Sequence, residues 1–158
     1  MSFKEELWNA ITHGVGFLIS IPVTVLLIIQ AASMNSAIHI ITFSIFGASL
    51  ILLFLMSTLL HSMPVKYKRF FAILDHSSIY ILIAGTYTPF LLIAIGGPLG
   101  ITLLSIIWSI AIFGVVFKCY FSDRFEKFSL ALYIAMGWMI VFAIKPIYAY
   151  LQVEGFTV

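Results

Sequence analysis

The sequence predicts an all-α fold, a polytopic transmembrane helix bundle of about five spans, and three observations carry that prediction. First, 63% of the 158 residues are hydrophobic and 9% are charged, with a mean hydropathy of +1.17, whereas a soluble domain carries about a quarter of its residues as charges. Second, the apolar residues come in long runs and not as one stripe per helical turn, so each run is long enough to cross the bilayer. Third, Lys and Arg fall on alternate connections between these runs, which is the charge pattern of a chain threaded back and forth through a membrane.

The N-terminal segment, residues 1–14, reads as an interfacial amphipathic helix. Glu6, Asn9 and His13 stand at i, i+3 and i+7 and make one polar line beside Leu7, Trp8 and Ile11. The plainer reading of that line is a helix face solvated at the interface. A secretory leader is disfavoured because Lys4, Glu5 and Glu6 do not form a net-basic start and the following run is long. The first span runs from Val15 to Met34, and the short polar SMNSA stretch closes it. The second runs from Ile38 to Leu60, with His39 expected to be a solvated residue of the preceding connection.

HSMPVKYKR separates the second span from the third, Phe71 to Ile95. GGPLG turns the chain into the fourth, Ile101 to Phe117, and KCYFSDRFEKFS leads to the fifth, Leu130 to Leu151. All of this is one domain, with no linker or repeat. Pro22, Pro89 and Pro146 fall inside spans and are candidate kinks, with Thr86 and Thr88 available to satisfy carbonyls freed near Pro89.

The basic connections carry Lys66, Lys68 and Arg69 after the second span and Lys118, Arg124 and Lys127 after the fourth. The positive-inside rule therefore places the N-terminus and both basic loops in the cytoplasm and the end of the fifth span outside. Lys145, near that outer end, is expected to snorkel. A formal charge of +2 with no basic cluster excludes nucleic acid as a partner. The one cysteine, Cys119, has no intramolecular partner and no CxxC spacing, which makes it a passive thiol. Membrane lipids remain as the natural partners, with a lipid as the expected class of any substrate.

Ionisable residues within or at the rim of lipid-spanning segments are costly unless paired or functional. Topology gathers most of them at one end, because the first helix leaves the cytoplasm, the second returns and the third leaves again. Ser57 and His61, four residues apart, share a helical face. Asp75 and His76 open the third span about 100° apart, so the two are not expected to serve one ion. Asp75 is expected to face the Ser57/His61 stripe, while His76 leads a separate stripe with Tyr80 and Tyr87. An interhelical His61/Asp75 ion pair is the plain alternative to a functional site. From spacing alone a metal site is weak: a catalytic zinc wants three protein ligands and an open position, and the chain has no HExxH or HxxxH pair.

These residues form a longer pattern. Glu6-x-x-Asn9-x-x-Thr12-His13-Gly14, then Ser57-x-x-x-His61, then the run from Leu74 and Asp75 through Pro89 and Phe90, DHSSIYILIAGTYTPF, and Met136-Gly137-Trp138 together resemble the hemolysin III family over essentially the whole chain. That family is the bacterial branch of the progestin and adiponectin receptor superfamily. The resemblance implies a seven-helix bundle with its N-terminus inside, in the bacterial plasma membrane, and an attributed cytolytic, haemolytic or membrane-homeostasis role. It also implies a zinc site near the cytoplasmic side, in which His61 would be a metal ligand. Ser57 and Asp75 would complete the polar set and act on a zinc-bound water, the arrangement of a ceramidase-like hydrolase of lipid amides or esters. Glu6, Asn9, His13 and His76 are further polar candidates. The sequence departs from that pattern by ending at Val158 after five spans, without the family's HxxxH. The expectation is a truncated or fragmentary chain, with zinc bound only if the missing ligands are supplied; a transporter or channel is disfavoured because the polar groups cluster at one rim.

Overall fold

The computed structural model describes residues 2–121, 125–144 and 148. Among them the chain is helical throughout, with no strand. α1 spans Phe3–Ser33, α2 Ala37–Ser62, α3 Val65–Pro89, α4 Gly97–Phe121 and α5 Glu126–Trp138, and a short π-helix, Phe90–Ile95, extends α3. Five helical stretches are long and apolar enough to cross a membrane, the last running to Ile144. The protein is therefore a multi-pass membrane protein. α1, α2, α3 and α4 pack in chain order, each antiparallel to the one before, and α5 closes against α3 and α4.

The helices exceed the apolar spans read from the sequence because they run past the hydrocarbon at the basic end, by which we mean the end where α1, α3 and α5 begin and α2 and α4 finish. α1 is the clearest case. Its 31 residues would measure roughly 46 Å at 1.5 Å per residue, against a hydrocarbon core of about 30 Å. The N-terminal polar segment is thus the continuous first turns of α1 and not a separate helix. Its start is fixed by a capping box legible in the sequence as Ser-x-x-Glu: Ser2 Oγ accepts from the Glu5 N–H at 3.3 Å, and Glu5 Oε2 accepts from the Ser2 N–H at 2.7 Å. His39 belongs to the first turn of α2, where its Nδ1 meets Ser36 Oγ at 2.8 Å. At the other end of the bundle, Gly96 and Gly97 both take positive φ (60° and 57°). They reverse the chain into α4 within two residues, a backbone state that favours glycine.

Burial is inverted relative to a soluble protein. Leu26, Ile29 and Ile112 are 60–65% exposed, which lipid makes favourable. The interior is built from small and hydroxylated residues, among them Ser20, Thr24, Thr42, Ser49, Ser57, Ser78 and Thr88. Most of those hydroxyls bond a carbonyl one turn back on their own helix, as Thr24 does to Ser20 at 2.7 Å, so they allow close approach without leaving polar atoms unpaired. Gly114 of α4 lies so close to the ring of Tyr80 that a Cβ there would enter it. The core proper is Tyr80, Ala84, Tyr87 and Leu91 on α3 and its extension, Ile107 and Ala111 on α4, and Met136 on α5.

The proline expectations divide. Pro22 sits inside an α1 that continues through it, whereas Pro89 ends α3 and is followed by the π-helix. Thr86 and Thr88 do not relieve the carbonyl of Gly85, the one freed by Pro89. Their hydroxyls bond Leu82 O and Ala84 O, each at 2.8 Å, because a threonine on a helix reaches its own i−4 carbonyl first. The break in the last helix falls after Trp138. There the Tyr87 hydroxyl inserts into the ladder, donating to Gly137 O at 2.7 Å and accepting from the Ile140 N–H at 2.9 Å. Pro146, Lys145 and Arg124 lie outside the described residues.

Candidate functional site

The basic end of the bundle brings together side chains from three helices. Glu6 on α1 reaches His61 on the last turn of α2, with Oε2 3.0 Å from Nδ1. Its other oxygen pairs with the ammonium of Lys68, on the first turns of α3. His13, two turns after Glu6, stacks its ring parallel to that of His61, with centroids 5.9 Å apart and 10° between planes, and tilts against Phe54 at 6.2 Å. α1 and α2 present these groups together because Glu6 and His13 share a face of α1 and His61 faces it from α2.

The protonation pattern follows from the donor inventory. An ionised carboxylate only accepts, so the proton lies on His61 Nδ1, and Nε2 is the nitrogen left for chemistry. Glu6 precedes the apolar run of α1. The Lys68 ammonium, and after it the His61 imidazole, hold its carboxyl below the usual carboxylate range. All three paired groups are partly covered, with side-chain exposures of 13% for His61, 20% for Glu6 and 31% for Lys68. The pair is reachable from water and screened by it.

The other sequence candidates are distributed around this cluster. Ser57 is buried on α2 one turn before His61, and Asn9 lies between Glu6 and His13, its carbonyl accepting from Thr12. Among the described residues the His61 ring bonds Glu6 and neither Ser57 nor Asp75, so the expected His61/Asp75 ion pair does not form; the Asp75 carbonyl accepts from the Ser78 hydroxyl at 2.6 Å. The physical reason is length and register: the polar first turns of α1 reach across to α2 and supply the carboxylate that α3 was expected to supply. His76 belongs to a different grouping, between α3 and α5, where its carbonyl accepts from the Tyr133 hydroxyl at 2.8 Å. Tyr80 and Tyr87, expected on the same stripe, also meet α5: the Tyr80 ring lies 4.4 Å from that of Tyr133, and the Tyr87 hydroxyl donates to Gly137 O. Cys119 is exposed.

Sequence reasoning missed Lys68 as a member of the site. It read that residue only as a topology-setting charge, although basic residues in the first turns of α3, which begins at the same end of the bundle as α1, are a signal for such a pair with Glu6. It also missed the burial of Lys118, 2% exposed.

A zinc ion was the cofactor implied by the resemblance. Zinc needs three protein ligands at one point. No group of three His, Cys, Asp or Glu side chains able to hold a metal ion occurs among the described residues, and Glu6 occupies the Nδ1 side of His61. The described residues do not by themselves fit the ion.

Comparison with known proteins gives a consistent picture. The family model described as haemolysin-III related matches residues 1–157. Over 155 residues the chain is 55% identical to hemolysin-3 of Bacillus cereus, an alignment that covers 98% of this chain and 71% of that protein. Over 157 residues it is 55% identical to a hemolysin-3 homolog of Bacillus subtilis (strain 168), covering 99% and 74% respectively. A more distant likeness, 30% over 104 residues, reaches the human monocyte to macrophage differentiation factor, with 62% of this chain and 44% of that protein aligned.

Proposed function

We propose a function from one premise: this chain belongs to the haemolysin-III related family. On that premise it is a resident of the bacterial plasma membrane, with the basic end of the bundle in the cytoplasm. It acts on the bilayer it occupies, in the cytolytic sense carried by the name of its relatives, through the polar cluster at that end. The observation that carries this reading is the Glu6–His61 hydrogen bond with Lys68 on the second carboxylate oxygen. It draws the starts of α1 and α3 and the end of α2 together at the level of the lipid headgroups. Lipid-facing Leu, Ile and Phe on every helix make a soluble, secreted form untenable, so any permeabilisation arises from within the membrane. Lys66, Lys68 and Arg69 in the first turns of α3, with Lys118 near the end of α4 and Lys127 near the start of α5, support the cytoplasmic orientation.

Release of an entrapped dye from liposomes carrying the purified protein tests this. Leakage is expected to rise with protein density and to fall to the protein-free level for Glu6→Gln and His61→Ala. No leakage above protein-free liposomes at any density refutes it.

A second reading, a zinc-dependent hydrolase of lipid amides or esters, is favoured by one feature. A carboxylate that fixes the proton on His61 Nδ1 and frees Nε2 is how a metal-binding histidine is oriented. Ser57 and Asp75 would be its polar helpers, and the remaining ligands would come from outside the described residues. Elemental analysis of the purified protein decides it: zinc at one per chain, lost in His61→Ala, supports the hydrolase, and zinc-free protein ends it.

A further inference from the structure

The three cations in the first turns of α3 are not equivalent. Lys66, Arg69 and Phe70 stand at i, i+3 and i+4 and share a face of the helix, while Lys68 lies about 200° round from Lys66. On its own side Lys68 meets the Glu6 carboxylate. Lys66 and Arg69 are exposed, and among the described residues neither has an ion-pair partner. The Lys66 ammonium lies 5.5 Å from the centroid of the Tyr67 ring, a contact that holds the charge beside an aromatic face without neutralising it. Helix stability does not account for this placement. Cations in the first turns of a helix oppose its dipole, and the first turn of α3 carries no acidic residue to offset them. On the neighbouring start of α1, Lys4 and Glu5 are both exposed and cancel, and Glu6 is committed to Lys68 and His61.

These turns are apolar as well as basic. Val65 is 83% exposed, Phe70 60% and Tyr67 48%. α3 with its π-helical extension, 31 residues from Val65 to Ile95, measures roughly 46 Å against a hydrocarbon core of about 30 Å, and its charged first turns take up the excess among the headgroups. Unpaired cations interleaved with exposed rings at that level match one surface in both charge and polarity: lipid phosphates, with glycerol and the upper methylenes beneath them. We infer that the face of α3 formed by Lys66, Arg69 and Phe70 binds anionic phospholipid headgroups, and that Glu6 withholds Lys68 from them. Lys66 and Arg69 hold the phosphate, and Phe70 seats against the glycerol. A soluble acidic partner would match the charge but leave the apolar residues uncovered. The inference does not rest on the proposed function: Lys66 and Arg69 lie outside the cluster of Glu6, His61 and Lys68, and the test reads bound lipid and not leakage.

The test is binding to the purified full chain in a neutral detergent, read as bound lipid by native mass spectrometry and as a saturable rise in unfolding temperature. The probes are phosphatidylglycerol, phosphatidylcholine and inorganic phosphate. One Lys or Arg beside an anionic headgroup is worth about fivefold in affinity. Lys66→Gln and Arg69→Gln should therefore each weaken phosphatidylglycerol about fivefold, and the two together about 25-fold, with phosphatidylcholine unchanged. Both side chains are exposed, so these variants keep the fold. Glu6→Gln with Lys68→Gln removes the ion pair without changing the net charge, and should keep wild-type affinity. Inorganic phosphate, which offers nothing for Phe70 to cover, should bind far more weakly than phosphatidylglycerol. Four results would each overturn the inference: equal affinity for the two lipids, wild-type affinity in Lys66→Gln with Arg69→Gln, inorganic phosphate binding as tightly as phosphatidylglycerol, or an equal loss when the Glu6–Lys68 pair is removed.

Discussion

Replacing Gly114 by alanine adds one methyl group at the tightest crossing of α3 and α4, and the structure fixes what it meets. A Cβ on Gly114 would lie within bonding-clash distance of three atoms of the Tyr80 ring. That ring is fully buried and backed by the ring of Tyr133, centroid to centroid 4.4 Å, so it cannot swing away without moving α5. The methyl must be accommodated by separating α3 from α4, an overpacking that costs about 1–3 kcal/mol. In population terms the folded state falls roughly 5- to 150-fold against the unfolded. Gly137→Ala is the control: nothing lies within 4 Å of its added Cβ, and the change is neutral or gains up to about 1 kcal/mol of helix propensity. A reversible SDS titration of both variants against wild type reads the difference. Equal midpoints for Gly114→Ala and Gly137→Ala would show that the α3–α4 crossing is not packed as described.

Tyr87→Phe removes the hydroxyl that completes the interrupted ladder of the last helix, leaving Gly137 O and the Ile140 N–H unmatched, at a cost of about 1–3 kcal/mol; faster hydrogen exchange confined to the Ile140 amide is the expected signature. Trp108 Nε1 donates to Thr88 Oγ1 at 3.2 Å, so Thr88→Val should destabilise by about 1 kcal/mol and shift the Trp108 emission, whereas Thr86→Val should leave that emission unchanged. The Glu6 carboxyl, held below its ordinary 4.5 by Lys68 and His61, contributes stability that is present above its unfolded-state pKa and is lost as pH falls through the lower folded-state value. Wild type should therefore exceed Glu6→Gln by a constant margin near neutral pH, and the margin should close only in acid below the usual carboxylate range; an unchanged margin there, read by the same titration, would refute the pairing.

The order of the helices, their number and the end at which the charges gather were legible in the chain, because lipid leaves a helix as the way for each long apolar run to satisfy its own backbone. Spacing on one helix was legible too: it put Ser57 with His61 and Glu6 with His13, since the 3.6-residue period fixes which side chains share a face. Contacts between helices were not, because they depend on axial register and rotation that no single segment encodes. Asp75 was the natural carboxylate for His61 by proximity along the chain. The structure instead brings Glu6 across from 55 residues away, because α1 runs long enough past the hydrocarbon to reach the end of α2. Lys118 shows the same division. Its place at a helix end was plain in the sequence, but only the packing of α5 over α3 and α4 decided that its side chain would be buried beside His76 and Ser129, because which side of a helix end is covered depends on its neighbours and not on the segment itself.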